Sequence, residues 1–101
     1  MDFRVVYTQK ALNDLANIVT YIANHDATSA VRFSGPLLDH IELLAQFPRM
    51  GSLVKKRVGV RKLLHSPILV YYRINTKKRL IEVLHFRHGA RKPPRSSSQI
   101  F

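Results

Sequence analysis

The sequence predicts a single α+β domain of order β-α-α-β-β-β, a helical hairpin packed on one face of a twisted, mostly antiparallel sheet. Three observations carry this expectation. A short alternating run opens the chain, two apolar stripes at helical spacing follow it, and three strand-like runs close it with connections too short for parallel crossovers. At 101 residues with 46% apolar side chains, the chain can build one core and bury roughly 60–70% of its unfolded surface.

Phe3 to Tyr7 are β-branched or aromatic with one basic interruption, and they end at Thr8, a good helix N-cap. From Gln9 to about Asn24, the residues Ala11, Leu12, Leu15, Ile18, Val19 and Ile22 recur at steps of three and four, which is an amphipathic helix. Asn24, His25 and Asp26 interrupt it, and Thr28 or Ser29 is the expected cap of a second helix carrying Ala30, Phe33, Leu37, Ile41 and Leu44. Gly35-Pro36 inside that stripe predicts a kink or a restart, because proline removes one backbone hydrogen bond and crowds the preceding turn. Phe47-Pro48 ends the helix.

Residues 48–59 hold Pro48, Gly51, Ser52 and Gly59 and read as an exposed basic loop. Strands are expected over 60–65, 68–75 and 79–87. Alternation puts Leu69, Tyr71 and Arg73 on one face and Val70, Tyr72 and Ile74 on the other. The same rule places Leu80, Glu82, Leu84 and Phe86 opposite Ile81, Val83, His85 and Arg87. One face is expected to cover the helices and the other to be a partly apolar surface studded with Arg, Tyr and His, suited to a partner. The compact domain is expected over 1–91, with 92–101 a flexible Pro/Ser-rich tail.

The net charge of +11 is unevenly spread. Residues 1–50 carry four bases against five acids, while 51–101 carry thirteen against one, Glu82. Such a field steers polyanions and acidic proteins toward one surface. The chain lacks cysteine, which excludes disulfides and thiolate metal sites and fits a reducing cytoplasm. No export signal and no membrane-length apolar stretch is legible. GxSxG, phosphate-loop and paired-carboxylate patterns are missing, and His85 and His88 lack a third ligand at metal-binding spacing. No metal and no cofactor is therefore expected. Tyr71 and Tyr72 read as core in preference to base-stacking residues, and Glu82 is expected to pair with a neighbouring base.

The order of these elements, together with particular residues, resembles the RelE/ParE toxin superfamily, which includes plasmid stabilisation proteins. The matching residues are Ala11-Leu12-Asn13-Asp14-Leu15 with Ile18 and Tyr21-Ile22, then Phe47-Pro48-Arg49-Met50-Gly51, and Gly59-Val60-Arg61-Lys62-Leu63. Val70-Tyr71-Tyr72-Arg73-Ile74 and Ile81-Glu82-Val83-Leu84, leading to His88-Gly89-Ala90-Arg91, complete the set, so the likeness spans about 90 residues.

The resemblance implies a bacterial, cytoplasmic toxin neutralised by an acidic antitoxin encoded beside it, with two activities on one fold. ParE-like members block DNA gyrase, whereas RelE-like members are metal-independent endoribonucleases that cut mRNA on the ribosome. For cleavage, Arg61, Arg73 and Arg87 or Arg91 resemble the positions that clamp phosphate. Lys55, Lys56 and Arg57 would grip flanking RNA, and His85 or His88 would act as acid or base. Arg61, Arg73, Arg87 and Arg91 are equally the residues an antitoxin would cover. The turn at 88–91 and the lack of any tyrosine after Tyr72 favour the ParE-like reading. The polar face of helix one (Asn13, Asp14, Asn17, Thr20, Asn24) favours neither. A non-toxic basic nucleic-acid-binding module is the remaining alternative, against which stands the lack of a recognition-helix or RNP signature.

Overall fold

A computed structural model of the chain describes residues 2–89. The first strand, β1 (Arg4–Tyr7), leads through Thr8 into helix α1 (Gln9–His25), and the Thr8 hydroxyl accepts from the Ala11 amide as the sequence predicts. Helix α2 (Ala27–Glu42) follows after a single residue. Its cap is Asp26, not Thr28 or Ser29: the Asp26 carboxylate accepts from both of their backbone amides and from the Ser29 hydroxyl. A carboxylate also complements the positive end of the helix, which the two hydroxyls do not. Of the kink or restart expected at Gly35-Pro36, the restart does not occur: α2 runs through Pro36 as one helix. Leu37 and Ile41, both fully buried beyond it, hold the helix against the sheet and offset the missing hydrogen bond.

Residues 48–59 are more ordered than a loop. They contain a 3-10 turn (Pro48–Met50) and a short strand, β2 (Ser52–Leu53). The strands β3 (Val60–His65), β4 (Ile68–Asn75) and β5 (Leu80–His88) match the three expected runs within one residue. The sheet has five strands in the order β1-β5-β4-β3-β2, with β1 parallel to β5 and every other pairing antiparallel.

The core lies between the helices and one sheet face. Leu37, Ile41 and Leu44 meet Val70, Tyr72, Ile81, Val83 and Phe86 there. Strict alternation fails in β5. The pairing steps from Tyr72 opposite Val83 to Tyr71 opposite His85, so Leu84 is an extra residue. Such a bulge switches the faces of everything beyond it. Phe86 therefore joins Ile81 and Val83 in the core, and His85 joins Glu82 on the outer face, which corrects the two sets expected from period two. Directly paired residues share a face. The outer face thus holds the rows Glu82–Arg73–Val60, His85–Tyr71–Lys62 and Arg87–Leu69–Leu64.

Tyr72 is fully buried and organises the corner where the 3-10 turn meets the sheet. Its hydroxyl donates to the Pro48 carbonyl at 2.6 Å and accepts from the Gly51 amide at 3.0 Å. Burial pushes its phenol above the ordinary value, although the Gly51 amide and the nearby Arg61 charge pull the other way. No described buried side-chain polar atom lacks a hydrogen-bond partner. Among the described residues, no helix is long and apolar enough to cross a membrane. The flexible-tail expectation for 92–101, and the candidate Arg91, lie outside the described residues.

Candidate functional site: the outer sheet face and the groove beside helix one

The sheet topology separates the residues that the sequence grouped together. Arg61 pairs with Tyr72 and so lies on the helix side of the sheet, where its Nη1 donates to the Gly51 carbonyl at 2.8 Å. Arg73 lies on the opposite face, with its Nε 3.0 Å from Glu82 Oε1. With the guanidinium side chain 53% exposed, this pair is a surface ion pair contributing at most about 1 kcal/mol. Lys55, Lys56 and Arg57 are exposed in the segment between β2 and β3. Arg87 stands on the outer face of β5, beside Leu69.

His85, Arg87 and His88 do come together. With Asp14, Asn17, Thr20, Tyr21 and Asn24 of α1, they line a groove of about 540 Å³, floored by Ile18 and Phe86. The groove exists because β1 pairs only with the first half of β5, up to Val83. Beyond that point the chain turns at Thr8, and α1 takes the place of a strand along the edge of β5. Side chains satisfy that edge: the Thr8 hydroxyl donates to the Leu84 carbonyl, and the Phe86 amide donates to Asp14 Oδ2. His88 faces the helix side, with its ring 6.0 Å from that of Tyr21.

Asp14 is the hub of this edge. Its Oδ2 lies 2.6 Å from His85 Nδ1, and Lys10 Nζ reaches both carboxylate oxygens at 3.1 Å. Lys10 Nζ is also 3.0 Å from His85 Nδ1, so the imidazole sits between an anion and a cation. Burial dominates its titration and lowers it from 6.5. The hydrogen bond and charge of Asp14 oppose that shift, and Lys10 and Arg87 add to it. His65, whose Nδ1 is 2.9 Å from that of His40, is lowered by burial and then by the His40 charge.

These two shifts have the same sign and therefore the same consequence for stability. A histidine that resists protonation in the fold takes up a proton more readily when unfolded, so stability is complete above pH 6.5 and is lost as pH falls below it. The melting temperature is expected to drop between pH 7.5 and pH 5, and the His85 ring to titrate below 6.5 by NMR. A His85 midpoint above 6.5 would mean that Asp14 outweighs burial.

In the sequence Asp14 stands only in the family motif and on the polar face of helix one, and nothing there singles out Lys10 or joins either to His85. His85 is 71 positions from Asp14, a separation no local pattern bridges. The position of Arg61 was legible in principle. A two-residue connection, Ser66-Pro67, sets His65 opposite Ile68 and hence Arg61 opposite Tyr72.

The architecture is shared with solved toxin structures. The chain is similar to one in the chromosomal ParDE toxin–antitoxin system of P. aeruginosa, with a TM-score of 0.73 and 21% identity over 85% of this chain and 95% of that one. It is also similar to one in the RelBE2 toxin–antitoxin complex of Mycobacterium tuberculosis, with a TM-score of 0.60 and 20% identity over 87% and 99%. The fold is therefore that of the RelE/ParE toxins. No curated protein sequence matches the chain. The family model for the ParE toxin of the type II toxin–antitoxin system parDE matches residues 5–93, and the chain belongs to that family of type II toxins.

Proposed function

We propose that this toxin arrests growth by binding DNA gyrase, and that an acidic antitoxin neutralises it by folding over the outer sheet face. The observation that carries the reading is the separation of Arg61 from Arg73. A phosphodiester in cleavage needs cations around one phosphate, together with an acid and a base on its two sides. Here the two arginines point away from opposite faces of the sheet, and each is already bonded to a protein acceptor. A binding poison needs a surface and no convergent catalytic set.

The surface is suited to a protein partner. Leu43, Phe47, Met50, Leu53 and Leu64 are large apolar side chains left exposed on a small domain. On the outer face, Lys62, Arg73 and Arg87 stand among Leu64, Leu69 and Tyr71. An acidic segment that folds on binding would cover this mixture of charge and apolar surface, and Lys55, Lys56 and Arg57 would extend the attraction. The family supports the antitoxin half of the reading, since its model is the ParE toxin of a type II toxin–antitoxin system and both similar structures come from toxin–antitoxin systems.

Expression of the chain in bacteria, with and without the neighbouring gene, tests the proposal. Gyrase-linked DNA breaks with intact mRNA are expected, abolished when the neighbour is co-expressed. Ribosome-dependent mRNA cleavage without such breaks would replace the gyrase reading with the nuclease one.

A further inference from the structure

We propose that the groove between α1 and the second half of β5 binds a nucleoside phosphate. The inference concerns binding alone and stands whichever target the toxin attacks. A nucleoside phosphate asks for three chemistries, a cation for the phosphate, a flat ring for the base, and paired donors and acceptors for its edge. The groove offers each of them.

At its β5 side stand Arg87, exposed and able to present a planar fork of donors, and His88. The Tyr21 ring lies across from His88, with centroids 6.0 Å apart, and gives an aromatic wall from α1. Asn17 and Asn24, two helical turns apart on the same stripe of α1, each carry an amide that donates and accepts at once.

The electrostatics agree. Asp14 is the only acid among the lining residues, and its oxygens are already engaged by Lys10, His85 and the Phe86 amide. It therefore offers little repulsion to an incoming anion, while Arg87 attracts one. The volume of about 540 Å³ falls within the range of small-molecule sites. Capping of the β5 edge by Thr8 and Asp14 also argues against a peptide strand as the occupant, because two of the groups such a strand would pair with are taken.

The test is NMR titration of the full chain with adenosine monophosphate, inorganic phosphate, adenosine and a short single-stranded oligonucleotide, following the Tyr21 and His88 ring signals. Saturable shifts are expected with the nucleotide, and binding of phosphate or adenosine alone should be at least about tenfold weaker. Arg87→Gln should weaken nucleotide binding by about tenfold, the loss of one charge-assisted hydrogen bond, and Tyr21→Leu should weaken it without unfolding an exposed helix position. Tighter binding of the oligonucleotide than of the mononucleotide would identify one residue of a strand as the ligand, and the reverse a free nucleotide. The inference fails if no ring signal shifts saturably, if phosphate binds as tightly as the nucleotide, or if Arg87→Gln changes nothing.

Discussion

Gly51→Ala is expected to destabilise the domain by about 3 kcal/mol, at the upper end of the cost of overpacking. The reason is close approach and not backbone strain, since Gly51 has an ordinary φ of −79°. A Cβ there would lie 2.6 Å from the Lys62 carbonyl oxygen and 2.8 Å from the Tyr72 ring and hydroxyl. The first obstacle is sheet backbone and the second a fully buried ring, so neither can yield cheaply. Any shift that relieves the clash also disturbs the bonds from the Gly51 amide to Tyr72 and from Arg61 to the Gly51 carbonyl. For a domain of this size the melting temperature should fall by roughly 12–24 °C. Gly35→Ala is the control. Apart from its chain neighbours and the nearby helix backbone, a Cβ at Gly35 meets nothing within 4 Å, and the gain of about 0.5–1 kcal/mol for alanine in a helix is opposed by the Pro36 ring crowding a preceding Cβ, so a change within about 1 kcal/mol is expected. A Gly51→Ala protein that melts with the parent would refute the packing account of this corner.

Asp14→Ala is expected to cost about 2–3 kcal/mol, because it removes the acceptor shared by Lys10, His85 and the Phe86 amide. The figure is discounted for Lys10, whose side chain is 39% exposed, so that the main loss falls on the two bonds to β5. A second readout separates this role from simple loss of helix stability. Asp14 raises the His85 pKa against burial, and its removal should move the His85 midpoint further below 6.5. Asn13→Ala, one position away and accepting a hydrogen bond from Gln9 at an exposed site, should leave both stability and the His85 titration nearly unchanged. Equal melting of the two variants, or an unmoved His85 midpoint, would remove Asp14 from the centre of this edge.

The parts of the fold that could be read from the sequence are those fixed by neighbours along the chain. The Thr8 cap and the two apolar stripes depend on residues three and four apart, and the hairpins depend on short connections. The pairing of Glu82 with a base was legible for the same reason, since β4 and β5 are joined by a tight turn that brings Arg73 opposite Glu82. The choice of Asp26 over Thr28 or Ser29 as cap turns on which side chain reaches the free amides, which the local pattern does not reveal.

Period, turn chemistry and charge are local or additive properties, and they suffice for the α+β class, the helical hairpin, the antiparallel meander, the family resemblance and the basic second half. Packing alone settles which faces the β5 candidates His85, Arg87 and His88 occupy. One extra residue at Leu84 reverses the sides of β5 beyond it, and the end of β1 leaves the edge of β5 to α1. The Asp14–His85 contact rests on both facts, the bulge setting the face of His85 and the free edge admitting α1. It joins positions 71 residues apart through a geometry that exists only when the sheet and the helix have packed.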